Sequence, residues 1–184
     1  MDGTPVPLDV LLAARERRVA LRDAALAARP EAAAVSATPV MPGPVKDCAL
    51  ARLLQAAALA ELAAVLDARG WAWSLARAET GPAGPEALVL VETGAADLKR
   101  AAADLEDHHP LGRLWDLDVV AAAGTVARRD LGLPPRACLL CAEPAHACAR
   151  SRAHAVSDLL AAMHAKALAW ILGDRDWRIP PEAR

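Results

Sequence analysis

Two proline–glycine runs, PGPVK at residues 42–46 and GPAGP at 81–85, divide the middle of the chain and leave few folds open to it. Neither a helix nor a strand ladder continues through such runs. Before the first lies Glu31–Met41, with Ala, Val, Ser and Thr and no charge after Glu31, which reads as a short strand. After it, Asp47 can cap a long helix over about residues 48–69, which Gly70 stops. Trp71–Arg77 alternates as a strand does, and beyond the second break Ala87–Glu92 is its hairpin partner. Thr93 and Gly94 introduce a helix near Ala95–Glu106, and residues 113–121 form a further strand, followed by a Gly124 turn and a strand over 124–129.

Residues 32–121 therefore read β-α-β-β-α-β, an α+β chain with a ferredoxin-like split βαβ core. That pattern predicts strand order 4-1-3-2, strand four antiparallel to strand one, and both helices on one sheet face. The core is flanked by an N-terminal helix over residues 7–28, the extra hairpin strand, a Pro/Cys-rich segment at 131–148 and an Ala/Leu helix running to about Leu172. Residues 1–184 are expected to make a single domain, with the core over about 32–130 and the Cys-rich segment and last helix over 131–172.

Composition excludes several functions. Apolar residues make up 55%, but Ala inflates that figure, so Leu, Val and five Trp must build the core. The absence of Phe and Tyr argues against RNA readers that stack bases on a sheet. A formal net charge of −2 offers no basic field for nucleic acid or acidic membranes. The first ten residues, MDGTPVPLDV, lack the basic and apolar regions of a signal peptide, and Arg52, Gln55 and Glu61 interrupt the longest apolar stretch. With three of four Cys inside residues 138–148 there is no framework of paired cysteines, and the cytoplasm is the expected compartment.

The candidate chemistry lies in HPLGRLWDLD, residues 109–118. Alternation along a strand sends Leu114, Asp116 and Asp118 to one face and Trp115, Leu117 and Val119 to the other. The apolar set should face the helices, leaving the aspartates on the uncovered side. Two carboxylates at this spacing can share Mg²⁺, which takes one or two carboxylates and completes its shell with water and substrate phosphate. Without neighbours, DLD usually means no more than the solvated face of an edge strand. If strands one and four are antiparallel, Gly43 and Lys46 come to the same rim as His108, His109 and Arg113, and a Lys beside a helix N-terminus together with an Arg fork suits phosphate. His109 can serve as a general base or simply precede Pro110 in a turn, and Gly112 admits a ligand or turns the chain. Arg128, Arg129, Arg136, Arg150 and Arg152 add a local positive set, able to grip substrate phosphates or an acidic partner, or to be solvated.

Cys138, Cys141, Cys148 and His154 supply three thiolates and an imidazole, a tetrahedral zinc set that would be structural because four protein ligands leave no open position. Buried free thiols beneath the last helix are the other reading, and Cys48 is expected as a packed thiol.

Taken together, AARERR (13–18), PGPVK (42–46), HPLGRLWDLDV (109–119), RRDLGLPPRACLLC (128–141) and CARSRAH (148–154) resemble the holo-citrate lyase synthase family, also called apo-citrate lyase phosphoribosyl-dephospho-CoA transferase. The motifs run from near residue 8 to near 165. The resemblance implies transfer of a phosphoribosyl-dephospho-CoA group from 2′-(5″-triphosphoribosyl)-3′-dephospho-CoA to a serine of the apo acyl carrier subunit of citrate lyase, with loss of pyrophosphate. From their spacing and chemistry, not from the resemblance, Asp116, Asp118 and His109 are the candidate catalytic residues. Gly43, Lys46, His108, Gly112, Arg113, Arg128 and Arg129 are the candidates for holding substrate. The competing readings are a zinc-stapled module, without chemistry, that binds RNA or a protein partner, and a nucleotidyltransferase that uses ATP.

Overall fold

A computed structural model describes residues 3–173. In chain order it contains α1 (Leu8–Ala28), β1 (Ala33–Pro39), α2 (Ala49–Ala68), β2 (Trp73–Gly81), β3 (Gly84–Val91), α3 (Ala95–His108), β4 (Trp115–Ala121), β5 (Gly124–Val126), α4 (Ala145–Ser151) and α5 (Val156–Ile171). The strands form one antiparallel sheet in the order β2-β3-β1-β4-β5. The first four strands thus lie in the expected order 4-1-3-2, and β5 extends the sheet by a tight hairpin in which Ala121 faces Gly124.

Period-two alternation in β1, β3 and β4 sends Val35, Val89, Trp115, Leu117 and Val119 to one face, where Leu54, Leu62 and Leu66 of α2 and Leu98 and Leu105 of α3 meet them. Met163 and Ala167 of α5 close this core. α2 is long and apolar enough to cross a membrane by length and composition, yet its Leu50, Leu54, Leu62 and Leu66 side chains are buried in the core. Each such burial contributes about 1.5–3 kcal/mol.

The opposite face is less open than expected. Leu26, near the end of α1, packs there on Ala34, Leu88, Leu90 and Val120, so α1 lies across the side that α2 and α3 leave bare. Other local expectations also shift. Asp47 does not cap α2: its carboxylate takes both arms of the Arg52 fork at 2.8 and 2.6 Å. Residues 112–114 form a 3-10 turn, because Gly112 is pressed against α3, where a Cβ would lie 2.1 Å from the Leu105 carbonyl oxygen. The helix expected to follow the Cys segment is two helices, parted near Arg152, whose backbone is left-handed (φ 50°). Among the described Trp residues Trp115 alone is fully buried, while Trp73 is 37% exposed; Trp177 lies outside the described residues.

β5 pairs with β4 only from Val119 to Ala121, which leaves the earlier part of that edge without a strand. Unpaired backbone groups must find other partners. Side chains supply them. The Leu117 amide donates to Glu106 Oε1 at 2.9 Å, the Leu117 carbonyl accepts from Lys99 Nζ at 3.0 Å, and the Trp115 carbonyl accepts from Arg136.

Candidate active site

A cleft of about 550 Å³ opens between α1 and the bare sheet face. Its floor carries Thr38 of β1 and Asp116 and Asp118 of β4; strand register sets Thr38 opposite Asp116 and Ser36 opposite Asp118. α1 contributes Arg15 and Arg18 to its wall, and the loop after β1 contributes Lys46. The β2–β3 turn closes one end. There Gly84, at φ 97°, lies so near the Lys46 carbonyl that a Cβ would come within 2.7 Å of it.

The charged groups are not equivalent. Burial pushes the Asp116 carboxyl above the usual carboxylate range, and the neighbouring charge of Asp118 adds to this; Arg136, with Nη1 3.0 Å from Asp116 Oδ1, opposes it. Asp118 is exposed and forms no ion pair among the described residues. Arg18 is committed to the buried Glu86, with Nε 2.9 Å and Nη2 2.8 Å from Oε2. Lys46 donates to the Met41 carbonyl, and burial draws its ammonium below the usual lysine range. Arg15 is exposed and engages no partner among the described residues. Two carboxylates on the floor with a free guanidinium and a part-buried ammonium above suit an anionic ligand that brings a divalent cation with it.

On the flank of β4 the Cys-rich segment forms a knuckle. The Cys138 amide donates to the Glu143 carbonyl at 2.7 Å and the Ala145 amide to the Arg136 carbonyl at 2.8 Å. The left-handed turn at Arg152 returns the chain, so that His154 Nε2 lies 3.3 Å from Cys141 Sγ, itself 3.4 Å from Cys148 Sγ. The donor atoms of Cys138, Cys141, Cys148 and His154 all lie within 4.8 Å of one another, a Cys₃His set able to hold a metal ion. Burial works to raise the Cys138 thiol, but the backbone amides of Leu140 and Cys141 prevail and bring it to about 7. The contact with Cys141 holds Cys148 up near 12.

The family model for apo-citrate lyase phosphoribosyl-dephospho-CoA transferase matches residues 6–170. The chain is a member of that family. Proteins of that name from Escherichia coli O9:H4 (strain HS) and Citrobacter koseri are 41% and 43% identical to it over 161 residues, 87% of each chain. The resemblance read from the sequence motifs is thus borne out.

Within this transferase family member, the residues singled out from sequence fall into separate places. Lys46, Asp116 and Asp118 share the cleft. His109 lies on the other side of the sheet, stacked on Trp115 with ring centroids 4.5 Å apart; its Nδ1 accepts from the Leu111 amide at 3.0 Å and its Nε2 is 3.6 Å from Glu61. His108 ends α3, exposed and 2.9 Å from Asp104. Gly43 abuts Val156 of α5, and Gly112 abuts α3. Arg113 is half-buried on the knuckle side; burial first, then the charge of Arg136, lowers its guanidinium, and its Nε and Nη1 have no hydrogen-bond partner among the described residues. Arg128 clamps α3 through Glu106 and Asp107, both at 2.8 Å, whereas Arg129 is 90% exposed beside Asp130. Arg15, Arg18 and Thr38 line the cleft without any local sequence signal for it beyond the AARERR motif, since a mid-helix arginine does not announce which distant strand it will face.

Proposed function

We propose that this chain transfers the phosphoribosyl-dephospho-CoA group of 2′-(5″-triphosphoribosyl)-3′-dephospho-CoA to a serine of the apo acyl carrier subunit of citrate lyase, a nucleotidyl-type transfer that releases pyrophosphate. The relatives' name, apo-citrate lyase phosphoribosyl-dephospho-CoA transferase, supports the group transferred and the protein that receives it. The observation that carries the mechanism is the cleft that sets Asp116 and Asp118 against Arg15 and Lys46. In this reading the serine oxygen forms a bond to the α-phosphorus, the bond from that phosphorus to the β-bridging oxygen breaks, and the serine proton leaves to solvent. Asp116 and Asp118 are the residues that would hold Mg²⁺, whose charge offsets that of the phosphate oxygens. Arg15 and Lys46 take the β- and γ-phosphates, Arg15 by its two-armed fork. Arg18, already paired with Glu86, braces the wall. His109 is too deeply engaged with Trp115 and the Leu111 turn to serve this cleft.

The Cys₃His set is read as a structural zinc site, consistent with a full complement of four protein donors. Strand order and two helices on one face support a ferredoxin-like split βαβ core within one domain. Reduced thiols and the absence of paired cysteines among the described residues support a reducing compartment such as the cytoplasm.

The direct test incubates the protein with apo carrier, Mg²⁺ and the triphosphoribosyl substrate and weighs the carrier by mass spectrometry. A carrier heavier by the prosthetic group, and unshifted with Asp118→Asn, is the expected result. An unshifted carrier with well-folded enzyme refutes the proposal and leaves a binding module as the better account.

A further inference from the structure

We propose that Arg136 is a positioning residue for Asp116, delivered to it by the Cys-rich knuckle. The inference rests on the reading of Asp116 as a carboxylate that holds the substrate's divalent cation. Arg136 Nη1 lies 3.0 Å from Asp116 Oδ1 and 3.8 Å from the buried Glu106, while Nη2 donates to the Trp115 carbonyl and lies 3.5 Å from that of Arg113. One guanidinium thus engages both the backbone at the start of β4 and the carboxylate of the next residue, and its side chain is 18% exposed. A planar fork held at several points restricts the Asp116 rotamer in a way a mobile ammonium cannot.

Arg136 is itself fixed from the far side. Its carbonyl accepts from the Ala145 amide at 2.8 Å, Ala137 bridges Pro144, and Cys138, two residues on, is a donor of the Cys₃His set. The knuckle lies away from the cleft, yet it carries Arg136, which reaches around the edge of β4 to an aspartate on the cleft floor. Outer partners of a metal-holding carboxylate commonly govern affinity or activity by about 10–100-fold.

The experiment uses the whole chain and Mn²⁺ alone as probe, titrated calorimetrically, with transfer kinetics and melting temperature measured in parallel. Arg136→Gln is expected to weaken Mn²⁺ binding and lower kcat by roughly ten-fold or more, with the KM for the carrier unchanged. Arg136→Lys should recover only part of this, because charge without the fork does not fix the rotamer, and it serves as the check should Arg136→Gln fold poorly. Cys148→Ser should weaken Mn²⁺ binding in the native background and add nothing in the Arg136→Gln background. Tighter Mn²⁺ binding in Arg136→Gln overturns the proposal, since removal of a nearby positive charge would then be the only effect. Full kcat in Arg136→Gln, with Asp116→Asn inactive, overturns it also and leaves the carboxylate reading standing. If Asp116→Asn itself keeps full turnover and Mn²⁺ affinity, that underlying reading falls instead.

Discussion

Glu106 is the side chain on which α3, β4 and two arginines converge, and its removal gives the sharpest test of how this edge is held. It is 1% exposed; it accepts the Leu117 amide at 2.9 Å and Arg128 at 2.8 Å, with Arg136 at 3.8 Å. Glu106→Ala leaves the Leu117 amide buried without an acceptor, a loss of about 1–3 kcal/mol. It also strips a buried partner from Arg128, which keeps Asp107 at 2.8 Å, so that loss falls below the roughly 3–5 kcal/mol of a fully broken buried pair. The sum is roughly 3–5 kcal/mol, or about 6–20 °C in Tm for a chain of this size. Glu106→Gln retains an acceptor for Leu117 and should cost about 1–2 kcal/mol, the difference between a charged and a neutral hydrogen bond. Urea unfolding at constant m-value reads both. An alanine variant within about 1 kcal/mol of the parent would refute the account of the β4 edge, and a glutamine variant as damaged as alanine would show that the ion pair, not the amide, dominates.

Arg15→Ala, a change at an exposed and unpaired cation, should leave Tm nearly unaltered while raising the KM for the triphosphate substrate about ten-fold; an unchanged KM removes Arg15 from the substrate site. Gly112→Ala places a Cβ 2.1 Å from a backbone oxygen of α3 and should lower stability by about 1–3 kcal/mol, read by thermal unfolding; a parental Tm would mean that the 3-10 turn yields freely. Elemental analysis should find one zinc per chain, lost in Cys148→Ser together with a lower Tm; metal-free protein of parental stability would assign the cluster to packing alone.

Strand periodicity made the aspartate pair legible, because which face a side chain takes is decided within a few residues of the backbone. That β1 and β4 lie side by side and antiparallel followed from the order of elements. The cleft wall was not legible. α1 presents Leu8, Leu12 and Val19 to solvent and docks through arginines to Glu79 and Glu86, partners 62 and more residues away that no local pattern indicates. His109 is open to two roles from sequence for a related reason: a histidine before Pro110 has the same local signature whether it serves as a base or turns the chain, and its stacking on Trp115 belongs to tertiary structure. The CxxC spacing identified the metal-capable set, but that the knuckle would carry Arg136 to the far side of β4 depends on tertiary structure.

The attachment of α1 has a thermodynamic consequence. Its buried side chain, Leu26, sits near the C-terminal end, whereas the half that walls the cleft is tied down by Arg17 to Glu79 at 2.6 Å, Arg18 to Glu86 at 2.8 Å, and the Val6 amide to the Pro44 carbonyl at 2.9 Å. Charge ties of this kind weaken as salt is added, whereas apolar contacts do not. Amide protons around Arg15 should therefore exchange sooner than those of α2, and sooner still at high ionic strength. A polyanion lodged between Arg15 and the floor acts as a further fastener on that half of the helix. Part of its attraction goes into quieting the helix, and its presence should be felt as slower exchange along α1 before any group is transferred.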